Sequence, residues 1–174
     1  TDALFAMASI HRAAESNSDL VDTLHRIIDV GTATLSEERI EDVYMQLGQL
    51  YDQKLQQPSD AVESYQKALE LNPRNMAALD ALEAIHTGQQ QWEDCIRVKD
   101  QRVDALDDVA DKIQVLLDSA RMWETQLENR DGATSHIPAV RDAVGAQQSA
   151  YGPDFATHVT GNPALAKAMA MPPP

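Results

Sequence analysis

Residues 44–73 have the sequence YMQLGQLYDQKLQQPSDAVESYQKALELNP. In both halves of this stretch, apolar and small residues recur every three or four positions, which is the spacing of one face of an α-helix. Gly48 and Ala61 place little bulk where two helices can approach closely, and Tyr51 and Tyr65 can fill the space beside a neighbouring pair. The stretch therefore predicts two antiparallel helices that bury their apolar faces only against further helices.

The rest of the chain repeats this design, with two kinds of helix pair in alternation. A shift of 75 residues aligns Ala3, Leu4, Ala6, Ile10, His11 and Asp19 with Ala78, Leu79, Ala81, Ile85, His86 and Asp94. A shift of 72 residues aligns Val43, Tyr51, Leu55 and Ala61 with Val115, Trp123, Leu127 and Ala133. We therefore predict four helix pairs, over residues 1–33, 37–75, 76–106 and 108–150.

The predicted helices cover residues 2–14, 18–31, 37–55, 59–71, 76–88, 91–105 and 108–128. Thr34 and Glu37 have the spacing of a capping box, and Gly31 and Gly88 are suited to helix ends. After residue 133 the pattern changes, because Pro138 and Gly145 interrupt the place where the fourth pair needs its second helix.

The central stretch resembles a tetratricopeptide repeat. The residues that carry the resemblance are Tyr44, Leu47, Gly48 and Tyr51 in the first helix, then Ala61, Tyr65, Ala68 and Pro73. Tyr51 and Ala61 are ten positions apart where the family has nine, so one extra residue lies in the turn. Residues 76–133 and, in part, 1–35 follow the same pattern, whereas residues 134–174 do not.

The resemblance implies an all-α fold, namely an α-solenoid of stacked antiparallel helix pairs with about three and a half repeats and an irregular C-terminal tail. We expect a helical repeat domain over residues 1–133. A capping helix and an Ala/Pro-rich tail are expected over residues 134–174.

The charge of the chain restricts its partners. It has 28 acidic and 14 basic residues, a net charge of −14, and all of the excess lies before residue 134. Such a surface repels nucleic acid and anionic membranes, so we expect a neutral or basic protein or peptide partner. No apolar run is long enough to insert into a membrane. The chain begins with Thr1 rather than Met, which fits a processed or excised fragment, and a cytoplasmic location is the default expectation.

No group of residues in the sequence predicts catalysis, a metal site or a cofactor. Cys95 is the single cysteine and occupies a small-residue position of its helix, so we expect it to be buried and inert. His11 and His86 occupy equivalent positions where the family has a packing aromatic residue. Paired acidic residues lie near predicted helix starts, where the helix dipole favours anions. We therefore expect a protein that is not an enzyme.

The resemblance also implies a binding groove lined by the first helix of each pair. The groove positions are Phe5, Ser9, Arg12, Met45, Gln49, Asp52, Asp80, Ala84, Thr87, Leu117, Arg121 and Glu124. Met45, Gln49, Asp80 and Ala84 stand where one subfamily has the Lys and Asn that bind a C-terminal carboxylate, so that ligand is disfavoured here. Further candidate interface residues are Trp92, Leu165 and Met169.

The function that follows is a non-enzymatic scaffold that binds a neutral or basic protein segment in its groove. The alternative is a structural subunit that associates with copies of itself, or with a larger complex, through its ends or its tail.

Overall fold

The structure, a computed structural model, describes residues 2–127 and Asp142. Within this part of the chain every regular element is helical. The elements are α1 (Asp2–Ala13), α2 (Asn17–Gly31), α3 (Glu37–Leu50), a π-helical turn (Tyr51–Leu55), α4 (Pro58–Leu71), α5 (Met76–Gly88), α6 (Trp92–Ala105) and α7 (Val109–Thr125). All seven predicted helices are present, and the all-α helical-repeat fold is confirmed.

The chain divides into an N-terminal unit of residues 1–85 and a C-terminal unit of residues 86–174. The predicted boundary between residues 133 and 134 lies outside the described residues, as do the predicted capping helix and tail. In the N-terminal unit, consecutive helices α1 to α4 contact one another. The apolar faces of α1, α2 and α3 form a core of Ala8, Leu20, Leu24, Ile27, Ile28, Val43, Leu47 and Leu50.

Helix α3 approaches α4 closely at Gly48. A Cβ atom added to Gly48 would lie 2.6 Å from Cε1 of Tyr65, nearer than two carbon atoms can pack. The Tyr65 ring is almost fully buried, and Ala61 one turn earlier on α4 has no exposed surface. The structure agrees with the prediction that small residues lie where these two helices approach. The Tyr65 ring was predicted to lie beside a neighbouring pair, but it packs against Gly48 of its own pair.

Each of the three helix pairs in residues 2–105 closes through a residue in the left-handed conformation. These residues are Glu15 (φ 54°), Gln56 (φ 53°) and Gln90 (φ 56°). In all three turns the next helix begins two residues after the left-handed residue. A buried residue lies five residues after the left-handed residue in each case: Leu20, Ala61 and Cys95. The second helix of every pair therefore starts in the same register, and the predicted burial of Cys95 is confirmed.

The turns differ in how the first helix ends. The backbone N–H of Ser16 bonds to the carbonyl of His11 and that of Gln91 bonds to the carbonyl of His86, five residues back in each case. In the central pair, the N–H of Gln57 reaches the carbonyl of Tyr51, six residues back. The extra residue predicted from the sequence thus lies between Tyr51 and Gln56, and the chain accommodates it as the π-helical turn.

Helix ends are fixed partly by side chains, although the predicted capping box is wrong. Ser36 precedes α3 without a capping hydrogen bond, and Thr34 donates instead to the carbonyl of Val30 at 3.3 Å. The side chain of Asn75 accepts from the N–H of Ala78 at 3.0 Å at the start of α5. The amide of Asn75 also donates to Glu41 at 2.6 Å, which ties the start of α5 to α3.

In the C-terminal unit, α6 contacts α7. The buried side chains of this pair are Cys95, Ile96, Val98, Ala105, Ile113, Leu116 and Ser119. His86 is buried as well, and its Nδ1 lies 2.7 Å from Oε1 of Gln91. The expectation that His86 is a packing residue is therefore confirmed.

The Gly48 contact leads to a prediction about stability. Gly48→Ala forces the Tyr65 ring to move, and overpacking of this kind typically costs about 1–3 kcal/mol. We expect the free energy of unfolding to fall in denaturant titrations even though alanine is the better helix former. Gly88→Ala is the matched control, because nothing lies within 4 Å of a Cβ added there. It should raise stability by up to about 1 kcal/mol. Equal effects of the two substitutions would contradict this account.

Candidate functional site

The N-terminal unit has an open cleft of about 580 Å³ between the helices α1, α2 and α3, which we call the α1–α3 cleft. Its lining residues are Arg12, Glu15, Asn17, Leu20, Leu24, Gln46, Gln49, Leu50, Gln53 and Lys54. They come from the end of α1, the turn between α1 and α2, the first half of α2, the second half of α3 and the π-helical turn.

The floor of the cleft is the edge of the hydrophobic core. Leu20, Leu24 and Leu50 are each less than a tenth exposed, and each still contributes to the lining. An apolar side chain that entered the cleft would therefore meet leucine methyl groups, and burying such a group contributes about 1.5–3 kcal/mol. The floor is suited to one apolar anchor residue.

Amide side chains form most of the walls: Asn17, Gln46, Gln49 and Gln53. Gln46 is held in place, since its Oε1 accepts a hydrogen bond from Nη2 of Arg12, 34 residues earlier in the chain. Gln49 and Gln53 are exposed. An amide group both donates and accepts hydrogen bonds, so these walls match the groups of a peptide main chain.

The charges that line the cleft nearly cancel, because Arg12 and Lys54 are accompanied by Glu15. The N-terminal unit as a whole is acidic, with 15 acidic and 6 basic residues. Tyr51, the first residue of the π-helical turn, experiences this field. Burial raises the pKa of its phenol, and the negative charges of Asp60, Asp22 and Glu63 raise that pKa further.

Two of the twelve predicted groove residues, Arg12 and Gln49, line the cleft. Phe5 is half-buried beneath the guanidinium of Arg39, whose Cζ lies 4.8 Å from the ring centre. Ser9 donates to the carbonyl of Phe5 in its own helix at 3.0 Å. Met45 and Asp52 are half-buried.

The remaining predicted groove residues lie on α5 and α7. Asp80 and Ala84 are exposed on the part of α5 that belongs to the N-terminal unit. Thr87 belongs to the C-terminal unit, and its Oγ1 lies 3.4 Å from Sγ of Cys95. On α7, Leu117 is half-buried, and Arg121 is exposed and paired with Asp118 at 3.3 Å. Glu124 lies on α7, and its side chain is outside what the structure describes.

The other candidate interface residues, and Trp123, differ in whether and how far they are buried in the described structure. Trp92 is the first residue of α6 and is half-buried. Trp123 is also half-buried, and its Nε1 has no hydrogen-bond partner among the described residues. Leu165 and Met169 lie outside the described residues.

Sequence reasoning missed most of the cleft. It placed the groove on first helices alone and so passed over Asn17, Leu20 and Leu24 on α2. It also passed over Gln46 and Gln53 on the cleft walls. A signal for these two was present, because Gln46, Gln49 and Gln53 are spaced by three and four residues, as on one face of a helix.

Neither a candidate metal site nor a candidate membrane-spanning helix is present among the described residues. In residues 2–127, no three His, Cys, Asp or Glu side chains are grouped so that they could hold a metal ion. None of the helices in this range combines the length and apolar character that crossing a membrane requires.

Comparison with known proteins identifies the central helix pair. Residues 41–75 match the family model of the tetratricopeptide repeat. The chain contains a tetratricopeptide repeat. This match includes α4 and most of α3, with the Gly48–Tyr65 contact. None of the curated proteins compared with the chain matches it.

Solved structures are similar in fold to most of the chain. A crystal structure of MamA protein has a TM-score of 0.50 and 14% sequence identity, and the match covers 87% of this chain and 76% of that chain. A second MamA structure has a TM-score of 0.49 and 13% identity, over 93% and 92% of the two chains. The N-terminal domain of stress-induced protein-1 from C. elegans has a TM-score of 0.47 and 13% identity, over 78% of this chain and 99% of that chain.

The tetratricopeptide repeat is a non-catalytic fold for protein interaction, and its presence supports a protein–protein interaction scaffold. The part of the predicted function that is supported is the protein–protein interaction scaffold.

Tyr65 gives the repeat a testable pH dependence. Burial, followed by the negative charge of Asp52, raises the pKa of Tyr65 from 10.0 to about 12. In the unfolded chain this phenol ionises near its ordinary pKa, whereas in the folded chain it stays neutral. The unfolded state thus holds fewer protons between pH 10 and about 12, and stability is lost as the pH rises through that window.

The measurement is the denaturant midpoint of unfolding at a series of pH values, for the wild type and for Tyr65→Phe. The wild type should lose more stability across the window than Tyr65→Phe does, because the variant has no phenol at this position. Parallel pH profiles for the two proteins would show that Tyr65 is not responsible.

Proposed function

We propose that this protein is a non-enzymatic interaction scaffold that binds a segment of another protein in the α1–α3 cleft. The observation that carries the proposal is the composition of the cleft, with a leucine floor and amide walls next to the tetratricopeptide repeat. Protein ligand sites generally have this form, in which apolar surface supplies affinity and a few polar groups orient the ligand.

The bound segment is neutral or basic. The charges in the cleft nearly cancel and impose no strong preference on the ligand. The acidic surface around the cleft therefore determines which sign of ligand charge is favoured. A field of this kind attracts cationic segments and repels anionic ones, and it acts mainly on the rate of association. Raising the salt concentration should therefore weaken binding.

Selection from a displayed library of random short peptides tests this function. We expect the selected peptides to share an apolar anchor and to be neutral or basic. Gln49→Arg should weaken their binding by roughly tenfold or more, because a larger, charged side chain then fills the cleft and repels cations. Titration calorimetry measures the affinities.

The matched control is Gln66→Arg, which makes the same change at an exposed glutamine of α4 outside the cleft. It should leave the affinities unchanged. Selection of mainly acidic peptides would contradict the expected charge, and equal effects of the two substitutions would place the binding site elsewhere.

A second candidate function is assembly through α1. Met7 and Ile10 are 39% and 64% exposed, whereas the residues that align with them after a shift of 75, Leu82 and Ile85, are 1% and 8% exposed. A face that is buried on α5 is thus uncovered on α1. We propose that this face mediates association with further copies of the chain or with a larger complex.

Light scattering over a range of protein concentrations tests the second candidate. If α1 mediates self-association, Ile10→Glu should weaken it by roughly tenfold or more, since the burial of one isoleucine is lost and a charge is added. Ser18→Glu adds the same charge at an exposed position of α2 and should have little effect. A wild type that remains monomeric at the highest concentration would count against self-assembly.

A further inference from the structure

Three glutamines form a row along one wall of the α1–α3 cleft. Gln46 and Gln49 lie on α3, and Gln53 lies on the π-helical turn that continues it. We call Gln46, Gln49 and Gln53 the glutamine row. The leucine floor lies beside it, so a bound segment that placed an apolar side chain on the floor would have its main chain next to the row.

The orientation of Gln46 is determined by its partner. The guanidinium of Arg12 carries only donors, so the atom of Gln46 that it contacts must be the acceptor Oε1. The Nε2 group of Gln46 then remains a donor, on a residue that lines the cleft. The complementary group on a peptide ligand is a main-chain carbonyl oxygen. This contact does not depend on which side chain the ligand residue carries.

The extra residue in the central turn gives the row its third member. In the other two closures the left-handed residue lies four positions after the carbonyl acceptor, namely Glu15 after His11 and Gln90 after His86. In the central closure Gln56 lies five positions after Tyr51. Gln53 belongs to the stretch that contains the insertion, and the cleft wall thereby extends beyond the end of α3.

The spacing of the row suits an extended segment. Steps of three and four residues along a helix advance by about 4.5 and 6 Å. An extended chain presents main-chain groups on one side about every 6.6 Å, which is twice its rise per residue. Flexible glutamine side chains can span the difference, and each amide offers both a donor and an acceptor to a peptide group.

From these observations we infer that the glutamine row binds the main chain of an extended segment, while Leu20, Leu24 and Leu50 receive one apolar side chain from it. This inference rests on the proposed function and specifies the chemistry of the same site. Recognition is then selective for an extended backbone with one anchor residue, and it is tolerant of the other side chains.

The test replaces backbone amides of the bound peptide by esters, one at a time. The probe is the tightest peptide obtained in the selection described above. An ester keeps every side chain, removes one N–H donor and makes the carbonyl oxygen of that bond a weaker hydrogen-bond acceptor. For the wild-type protein, we expect the affinity to fall by roughly two- to tenfold at peptide bonds beside the anchor, as the loss of single hydrogen bonds predicts. Bonds far from the anchor should be insensitive.

The same peptides are then measured with the triple variant Gln46→Ala, Gln49→Ala, Gln53→Ala. Its affinity for the all-amide peptide should be lower, and the ester analogues should no longer differ from that peptide. The control variant combines Gln66→Ala and Gln89→Ala, two exposed glutamines outside the cleft, and it should keep the wild-type pattern. Thermal melts followed by circular dichroism show whether the variants are folded.

The outcomes separate this inference from the function on which it rests. A selected peptide whose binding does not respond to Gln49→Arg would overturn the proposed site itself. A peptide that binds in the cleft, but whose ester analogues all bind the wild type as well as the all-amide form, would overturn main-chain recognition alone. The wild-type ester series gives this answer even if the triple variant fails to fold.

Discussion

The N-terminal unit depends on the contact between Gly48 and the ring of Tyr65. Without a Cβ on Gly48, α3 approaches α4 closely enough for the ring to be almost fully buried between them. The same contact aligns α3, and α3 in turn supplies one wall of the cleft through Gln46 and Gln49. A constraint inside the repeat therefore determines the position of polar side chains that the solvent reaches.

The turns impose a second constraint. Each second helix starts two residues after a residue in the left-handed conformation, and none of the three such residues in the described helix pairs is a glycine. Non-glycine residues in this conformation cost about 1–2 kcal/mol, so the hydrogen bonds and buried contacts of the closures must offset that cost. Because the start of the second helix is fixed, the extra residue of the central pair is accommodated in the helix that precedes it, as the π-helical turn.

Much of the fold could be predicted from the sequence because it depends on local patterns. Apolar periodicity located all seven described helices, and the spacing from Tyr51 to Ala61 revealed the insertion. The form of the insertion was not predictable, since an extra residue between two helices is equally compatible with a longer loop. The capping-box prediction failed for a related reason: Thr34 has a nearer partner in the carbonyl of Val30.

The cleft was less predictable than the fold. Arg12 and Gln49 were identified through the resemblance to a family, which assigns the groove to first helices. The floor comes from leucines whose periodicity marks them only as core residues, and nothing in the sequence shows that the edge of the core is open to a ligand. The bond between Arg12 and Gln46 joins residues 34 positions apart, and such pairs emerge only from the folded chain.

The unequal turns also bear on how the chain could have arisen and how it could be rebuilt. The closures of the first and third pairs share their hydrogen-bond pattern and are 75 residues apart, whereas the closure between them differs. Adjacent helix pairs are therefore not interchangeable parts. The module that could be duplicated, exchanged or inserted with every turn preserved is a block of two pairs, and an ancestral gene duplication or an engineered extension of this array would proceed in steps of that length.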